Sequence, residues 1–191
     1  MQSIELTNKI GVLLIDYQPV YTENPNVKKH FPNLQNNLHY FLNYIRCHIP
    51  SENIIHIRTN YNSTFAANFK KYHPDKPIPF DVHPTYYASA FENEKIIVKS
   101  SFDGFLNTFL EKYLKERNID TLIVCGLLTS ICVLFTTQSA FSLGYKVYLY
   151  QPACADRSLT NHNYTIQLYK NYIFKLISND FIFFTNNNFK N

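Results

Sequence analysis

Short apolar runs separated by longer amphipathic stretches constrain this chain more than any other feature. IGVLLI at 10–15 and TLIVC at 121–125 lack the alternation of a half-exposed strand, so each reads as a strand buried on both faces. NIIHIR at 53–58, KIIV at 95–98, YKVYLY at 145–150 and DFIFFT at 180–185 complete the strand set. Helical patterns lie between them. Leu34, Leu38, Phe41, Leu42 and Ile45 share a face over 33–47, and Phe105, Phe109, Leu110, Tyr113 and Leu114 share one over 105–117. Leu168, Tyr169, Tyr172, Ile173 and Leu176 do the same over 161–177. Another helix starts near Ser130 and runs to Leu143, where Gly144 caps it. Residues 61–94 read as irregular, because Pro74, Pro77, Pro79 and Pro84 forbid a long helix or a central strand. Strands alternating with helices, without hairpin signals, imply a parallel sheet joined by right-handed crossovers. The expected class is α/β: a three-layer α/β/α architecture around a six-stranded parallel sheet, Rossmann-like in layout. It is read as one domain over 1–191, with a frayed polar tail at 186–191.

Composition removes several kinds of site. Gly11, Gly104, Gly126 and Gly144 are the only glycines, too far apart for GxGxxG or a P-loop, so no dinucleotide or nucleoside triphosphate cofactor is expected. Cys47, Cys125, Cys132 and Cys154 have no CxxC spacing, which gives neither a zinc knuckle nor a redox pair. A reduced, cytoplasmic compartment is the default for such cysteines. The formal charge of +4 is spread without any Lys/Arg run longer than two, so no track for nucleic acid is expected. No secretory signal opens the sequence and no apolar run is long enough for a membrane span, so no membrane partner is expected.

VCGLLTSICVLF at 124–135 carries the chemistry. It reads as a strand broken by Gly126, a tight turn and a helix with Cys132 in its first turn. Unpaired N–H groups and the positive dipole end there favour a thiolate, and they can hold the oxyanion formed when a thiolate attacks a carbonyl. Taken alone, Cys132 is as well explained as a small core residue. Two other residues change the balance. Asp16 ends the first strand and Lys99 ends the third, and in a parallel sheet both belong at the carboxyl edge where Cys132 lies. Singly, Asp16 could cap a turn and Lys99 could be a solvated surface lysine. Together they place a nucleophile, an acid/base and a cation at one sheet edge.

Three motifs resemble the isochorismatase-like cysteine hydrolases, which include nicotinamidases and N-carbamoylsarcosine amidohydrolases. They are LLIDYQPVY at 13–21, VKSSFDGF at 98–105 and CGLLTSICV at 125–133, followed by GYKVYLY. The resemblance covers residues 10 to about 185 and implies the isochorismatase-like hydrolase fold. It implies a catalytic triad of Asp16, Lys99 and Cys132, an oxyanion hole from the backbone N–H groups of Leu128 and Cys132, and a non-proline cis peptide at Leu127–Leu128. The implied activity is hydrolysis of a C–N bond in a small amide, carbamoyl or ureido substrate through a thioester. Gln18, Tyr21, Phe65 and Phe102 are the candidate substrate contacts, and within the loop at 61–91 Tyr86 and Tyr87 are further candidates for the pocket wall. A small-molecule substrate and a homo-oligomer are expected, and no cofactor.

The chain departs from the nicotinamidase pattern at the metal site. Where those enzymes carry Asp-x-His, this sequence reads Asn60-Tyr61-Asn62, so no metal is expected. His73, Asp75 and His83 further along are read as exposed loop residues. Pro152 stands where relatives have an acidic residue after the fifth strand, with Asp156 a little beyond. Two rival readings stand beside the hydrolase. One is an isochorismatase-type vinyl-ether hydrolase, against which Cys132 argues. The other is a non-catalytic binding module, against which the intact Asp16–Lys99–Cys132 set argues.

Overall fold

The computed structural model describes residues 3–5, 7–61, 64–75, 82–178 and 182–184. Its strands are β1 (Ser3–Glu5), β2 (Ile10–Ile15), β3 (Ile54–Thr59), β4 (Lys95–Lys99), β5 (Thr121–Leu127), β6 (Lys146–Ala155), β7 (Lys175–Ile177) and β8 (Ile182–Phe184). The α-helices are α1 (Pro19–Thr22), α2 (Pro25–His30), α3 (Leu34–Arg46), α4 (Thr64–Tyr72), α5 (Leu110–Glu116), α6 (Leu134–Ser142) and α7 (Leu159–Tyr169). Six strands form one parallel sheet in the order β4-β3-β2-β5-β6-β7, as the alternation of elements predicts. β2 and β5 are buried at every position, so both faces of the sheet are covered. The chain enters at β2, builds outward to β4, then returns to β5 on the other side of β2. That reversal puts the topological switch point between β2 and β5, where α/β sheets bind ligands.

Gly126 does not break β5. The strand runs through it to Leu127, because β5 and β2 touch there more closely than a side chain would allow. A Cβ on Gly126 would lie 2.1 Å from the Ile15 carbonyl oxygen, and its φ of 141° suits glycine alone. Other boundaries differ from the sequence reading as well. α5 begins at Leu110, since Asp103 and Thr108 side chains hydrogen-bond the backbone of 104–105 and hold that stretch out of a helix. Phe109 is consequently 79% exposed. α4 occupies part of the segment read as irregular.

The predicted helix over 161–177 stops at Tyr169. Its buried face is His162, Thr165 and Ile166, so polar residues carry the inward stripe and the apolar count pointed the wrong way. Leu168 and Tyr172 are 66% and 83% exposed. Asn171 then turns the chain with a φ of 67°, and Lys175–Ile177 pairs with β6 as the sixth strand of the sheet. The segment predicted for that place supplies β8 instead, which pairs with β1 in a separate two-stranded sheet. β6 continues past the predicted end to Ala155. β7 pairs only with Tyr148–Tyr150, so Pro152 sits where no strand needs its missing N–H. Residues 186–191, predicted as a tail, lie outside the described residues.

Candidate active site

Asp16, Lys99 and Cys132 meet at the carboxyl edge of the sheet, and all three are buried. Asp16 leaves β2 with a φ of 54°, a left-handed conformation that Asp tolerates better than most residues and that redirects its carboxylate. Lys99 ends β4, whose alternation exposes Ile96 and Val98 and turns Ile97 and Lys99 inward. Cys132 lies in a wide turn, Thr129–Val133, where the Val133 N–H donates to the Leu128 carbonyl at 3.2 Å before α6 begins.

The Lys99 ammonium lies 2.9 Å from Asp16 Oδ2 and 3.4 Å from Cys132 Sγ. It also approaches Thr59 Oγ1 at 2.5 Å and the Ser101 carbonyl at 3.0 Å. An ammonium has three hydrogens, which the Thr59, Ser101 and Cys132 contacts use, so the Asp16 Oδ2 contact is an ion pair without hydrogen-bond geometry. The Thr59 hydroxyl accepts from Lys99 and donates to Asp16 Oδ1 at 2.8 Å. Its position at the end of β3 was the signal available in the sequence, but a neutral hydroxyl carries none of the charge that marks Asp16 and Lys99. Thr59 is itself fixed by Gln18. The Gln18 amide donates to the Thr59 carbonyl at 3.0 Å and accepts from its N–H at 2.7 Å. Gln18, predicted as a substrate contact, is thus a strut at the end of β3.

Burial pushes the Cys132 thiol up to about 12, with Lys99 opposing that rise. The sequence suggested a lowered thiol pKa from the helix start. In the folded chain the loss of water is the largest influence on the sulfur and favours the thiol over the thiolate. Burial also works against the charge on Lys99, yet the facing Asp16 and Cys132 raise its pKa above the ordinary value.

Cys132 forms part of the floor of a cavity of about 450 Å³ walled by Tyr21, Tyr61, Phe102, Leu128, Phe135 and Arg157, among others. Tyr21 and Phe102, two of the expected substrate contacts, line this cavity. Tyr86 and Tyr87 lie along a separate groove with Val27 and Phe31. The Phe65 side chain lies outside the described residues. His73 is a cavity wall residue packed on the Phe69 ring at 4.8 Å, not a plain loop histidine. Arg157, which the sequence reading did not single out, brings a guanidinium to the wall, 5.9 Å from the centre of the Tyr21 ring. Its Nε is buried without a hydrogen-bond partner among the described residues.

The neighbouring Asp156 follows β6 directly, and Pro152 lies inside that strand and not after it. Asp156 Oδ2 accepts from the Ser130 N–H at 2.9 Å and the Ser130 hydroxyl at 2.7 Å. The peptide between Leu127 and Leu128 is cis, as the resemblance implied. Where nicotinamidases carry Asp-x-His, the described donor is Asn60, a neutral amide whose backbone N–H is bonded to the Lys99 carbonyl at 2.9 Å. A single amide oxygen does not fit a divalent ion, and among the described residues no three His, Cys, Asp or Glu side chains cluster as ligands.

Known proteins share this arrangement of elements. A profile of the isochorismatase domain matches residues 11–180. The isochorismatase-family protein YecD of Escherichia coli O157:H7 is 30% identical over 116 residues, 58% of this chain and 61% of that protein. An Escherichia coli nicotinamidase is 34% identical over 79 residues, 38% of this chain and 37% of the enzyme. These alignments span less than two thirds of either relative. Among solved structures, an isochorismatase-family protein from Burkholderia thailandensis superposes with a TM-score of 0.79 at 18% identity, covering 93% of this chain and 94% of that one. The fold follows that structure, the domain profile spans nearly all the strands just described, and the chain belongs to the isochorismatase family of hydrolases.

Proposed function

We propose that this protein hydrolyses a C–N bond in a small amide, carbamoyl or ureido compound, using Cys132 as nucleophile. The observation that carries the reading is the Lys99 ammonium, 2.9 Å from Asp16 and 3.4 Å from the Cys132 sulfur, beneath a cavity of about 450 Å³. Burial favours the neutral thiol, so in this mechanism its proton leaves during attack. Asp16 takes that proton as sulfur bonds to the carbonyl carbon. Lys99 offsets the negative charge shared by carboxylate and sulfur. The oxygen gains charge as the carbonyl π bond opens, facing the backbone N–H groups of Leu128 and Cys132. Collapse breaks the C–N bond, and the Asp16 proton goes to the departing nitrogen. Water, deprotonated by Asp16, then cleaves the thioester and returns the thiol.

The wall residue Arg157 supports a substrate with an anionic or strongly accepting end, since a half-buried guanidinium with a free N–H favours such a group. A relative named nicotinamidase supports C–N hydrolysis as the reaction class. The test is an ammonia-release screen over small amides and ureido acids with wild type and Cys132→Ala. Turnover by wild type, its loss in Cys132→Ala at an unchanged thermal midpoint, and a trapped acyl adduct on Cys132 are expected. Full activity in Cys132→Ala would end the covalent mechanism. A vinyl-ether hydrolase would instead release a keto acid without ammonia.

A further inference from the structure

The turn that carries Cys132 is fastened from outside the cavity as well as from within. Thr129 opens that turn, and its hydroxyl lies 3.1 Å from the Ala155 carbonyl and 2.8 Å from His162 Nδ1. A hydroxyl has one proton, and a carbonyl can only accept. With the Thr129 proton on Ala155, the His162 contact is an Nδ1–H donating to the Thr129 oxygen, which fixes the imidazole tautomer. The ring is buried on α7, and its orientation is held by an edge contact with Phe31 at 4.9 Å. His162 does not line the cavity above Cys132. Thr129 follows Leu128, whose carbonyl already accepts from the N–H groups of Ile131 at 3.0 Å and Val133 at 3.2 Å. The peptide linking Leu128 to Thr129 is therefore held by its carbonyl on one side and by the next side chain on the other. Such a peptide cannot rotate without breaking one of those bonds.

We propose that His162 is a positioning residue for the oxyanion pocket: through the Thr129 hydroxyl, its Nδ1–H fixes the turn that aims the Leu128 and Cys132 N–H groups. This rests on the cysteine-hydrolase reading above. Asp156, through Ser130, holds the neighbouring residue of the same turn, so the β6–α7 segment fastens it at two successive positions.

Butyraldehyde is a probe that needs no known substrate. The Cys132 sulfur adds to its carbonyl carbon, the C=O π bond becomes a C–O single bond, and the thiol proton ends on that oxygen, giving a hemithioacetal with no leaving group. Its oxygen takes the place of the oxyanion. Binding is read as protection of Cys132 from iodoacetamide, followed by mass spectrometry. His162→Leu is expected to weaken protection by about tenfold or more, as sub-ångström misplacement does. The rate of alkylation without aldehyde, which needs no oxyanion pocket, should stay within about threefold of wild type. His162→Asn, which restores a side-chain N–H, should recover most of the protection. Thr129→Val, which removes the Ala155 bond as well, should weaken protection at least as much, and His162→Leu added to it should do little more, because the His162 link is already gone. If His162→Leu does not fold, the near-isosteric Thr129→Val and His162→Asn carry the comparison. Unchanged protection in His162→Leu, or full additivity with Thr129→Val, would overturn the positioning role. A wild type whose Cys132 is neither alkylated nor protected would overturn the cysteine reading itself, and this role with it.

Discussion

Lys99 and Thr59 decide how the buried site behaves. Lys99 opposes the burial that lifts the Cys132 thiol, so Lys99→Met should raise that pKa further. In wild type, native-state alkylation of Cys132 should climb with pH through 10 without levelling, since burial holds the thiol near 12. In Lys99→Met the same profile should shift to still higher pH. Superimposable profiles would separate Lys99 from the nucleophile. The variant also leaves the Asp16 carboxylate buried without its cation, a loss of about 3–5 kcal/mol, so the rates must be read well below its thermal midpoint. Thr59→Val keeps shape but removes the hydroxyl between Lys99 and Asp16. Leaving those groups a partner short costs about 1–3 kcal/mol, so kcat should fall roughly tenfold to hundredfold, and Thr59→Ser should restore it. Equal kcat in Thr59→Val would show that the hydroxyl is a bystander. The Thr59 effect could not be read from residue types alone, because the hydroxyl is inserted by register and not by charge.

At the next scale up, a buried ion cluster ties α3 to the β3–β4 edge. Glu94 accepts from Arg46 Nε at 2.7 Å, from Arg46 Nη2 at 3.0 Å and from the Phe91 N–H at 2.8 Å. It also accepts from His56 Nε2 at 2.8 Å. Burial opposes its charge, but the His56 and Arg46 hydrogen bonds win and hold its carboxyl at about 2. A depressed carboxyl gives stability that is complete above its unfolded value of 4.5 and lost as pH falls toward 2. His56 works in the same direction. Burial lowers its pKa below 6.5 despite Glu94, so protonation in the unfolded chain favours unfolding as pH drops beneath that value. Glu94→Gln should therefore cost about 3 kcal/mol at pH 7, read by urea denaturation, and should flatten the acid limb below pH 4.5. An unchanged acid limb would remove Glu94 from the account. The helix boundaries show why elements are less legible than strands. α7 hides His162, Thr165 and Ile166 and exposes Leu168, so its inward face was set by what it packs on. β2 and β5 needed no such help, because an unbroken apolar run has one good environment.

On the scale of the whole molecule, the return of the chain from β4 to β5 creates the crevice above Cys132 and limits what fits in it. A cavity of about 450 Å³ with aromatic walls admits a small amide and not a folded peptide chain. Ammonia release should appear with small amides or ureido acids, while casein should yield no new amino termini in a fluorescamine assay; proteolysis of casein would contradict that size limit. No helix among the described residues is long and apolar enough to cross a membrane. The order of apolar runs was enough to specify a parallel sheet, and the ends of its strands were enough to bring Asp16, Lys99 and Cys132 to one edge. Both follow from local physics: strand burial and side-chain type are written residue by residue. The thiol's high pKa, the Thr59 bridge, Arg157 on the wall and the His162 link were decided only by tertiary structure. Each depends on which distant segments exclude water from a group or complete its hydrogen bonds, and that is a property of the packed chain.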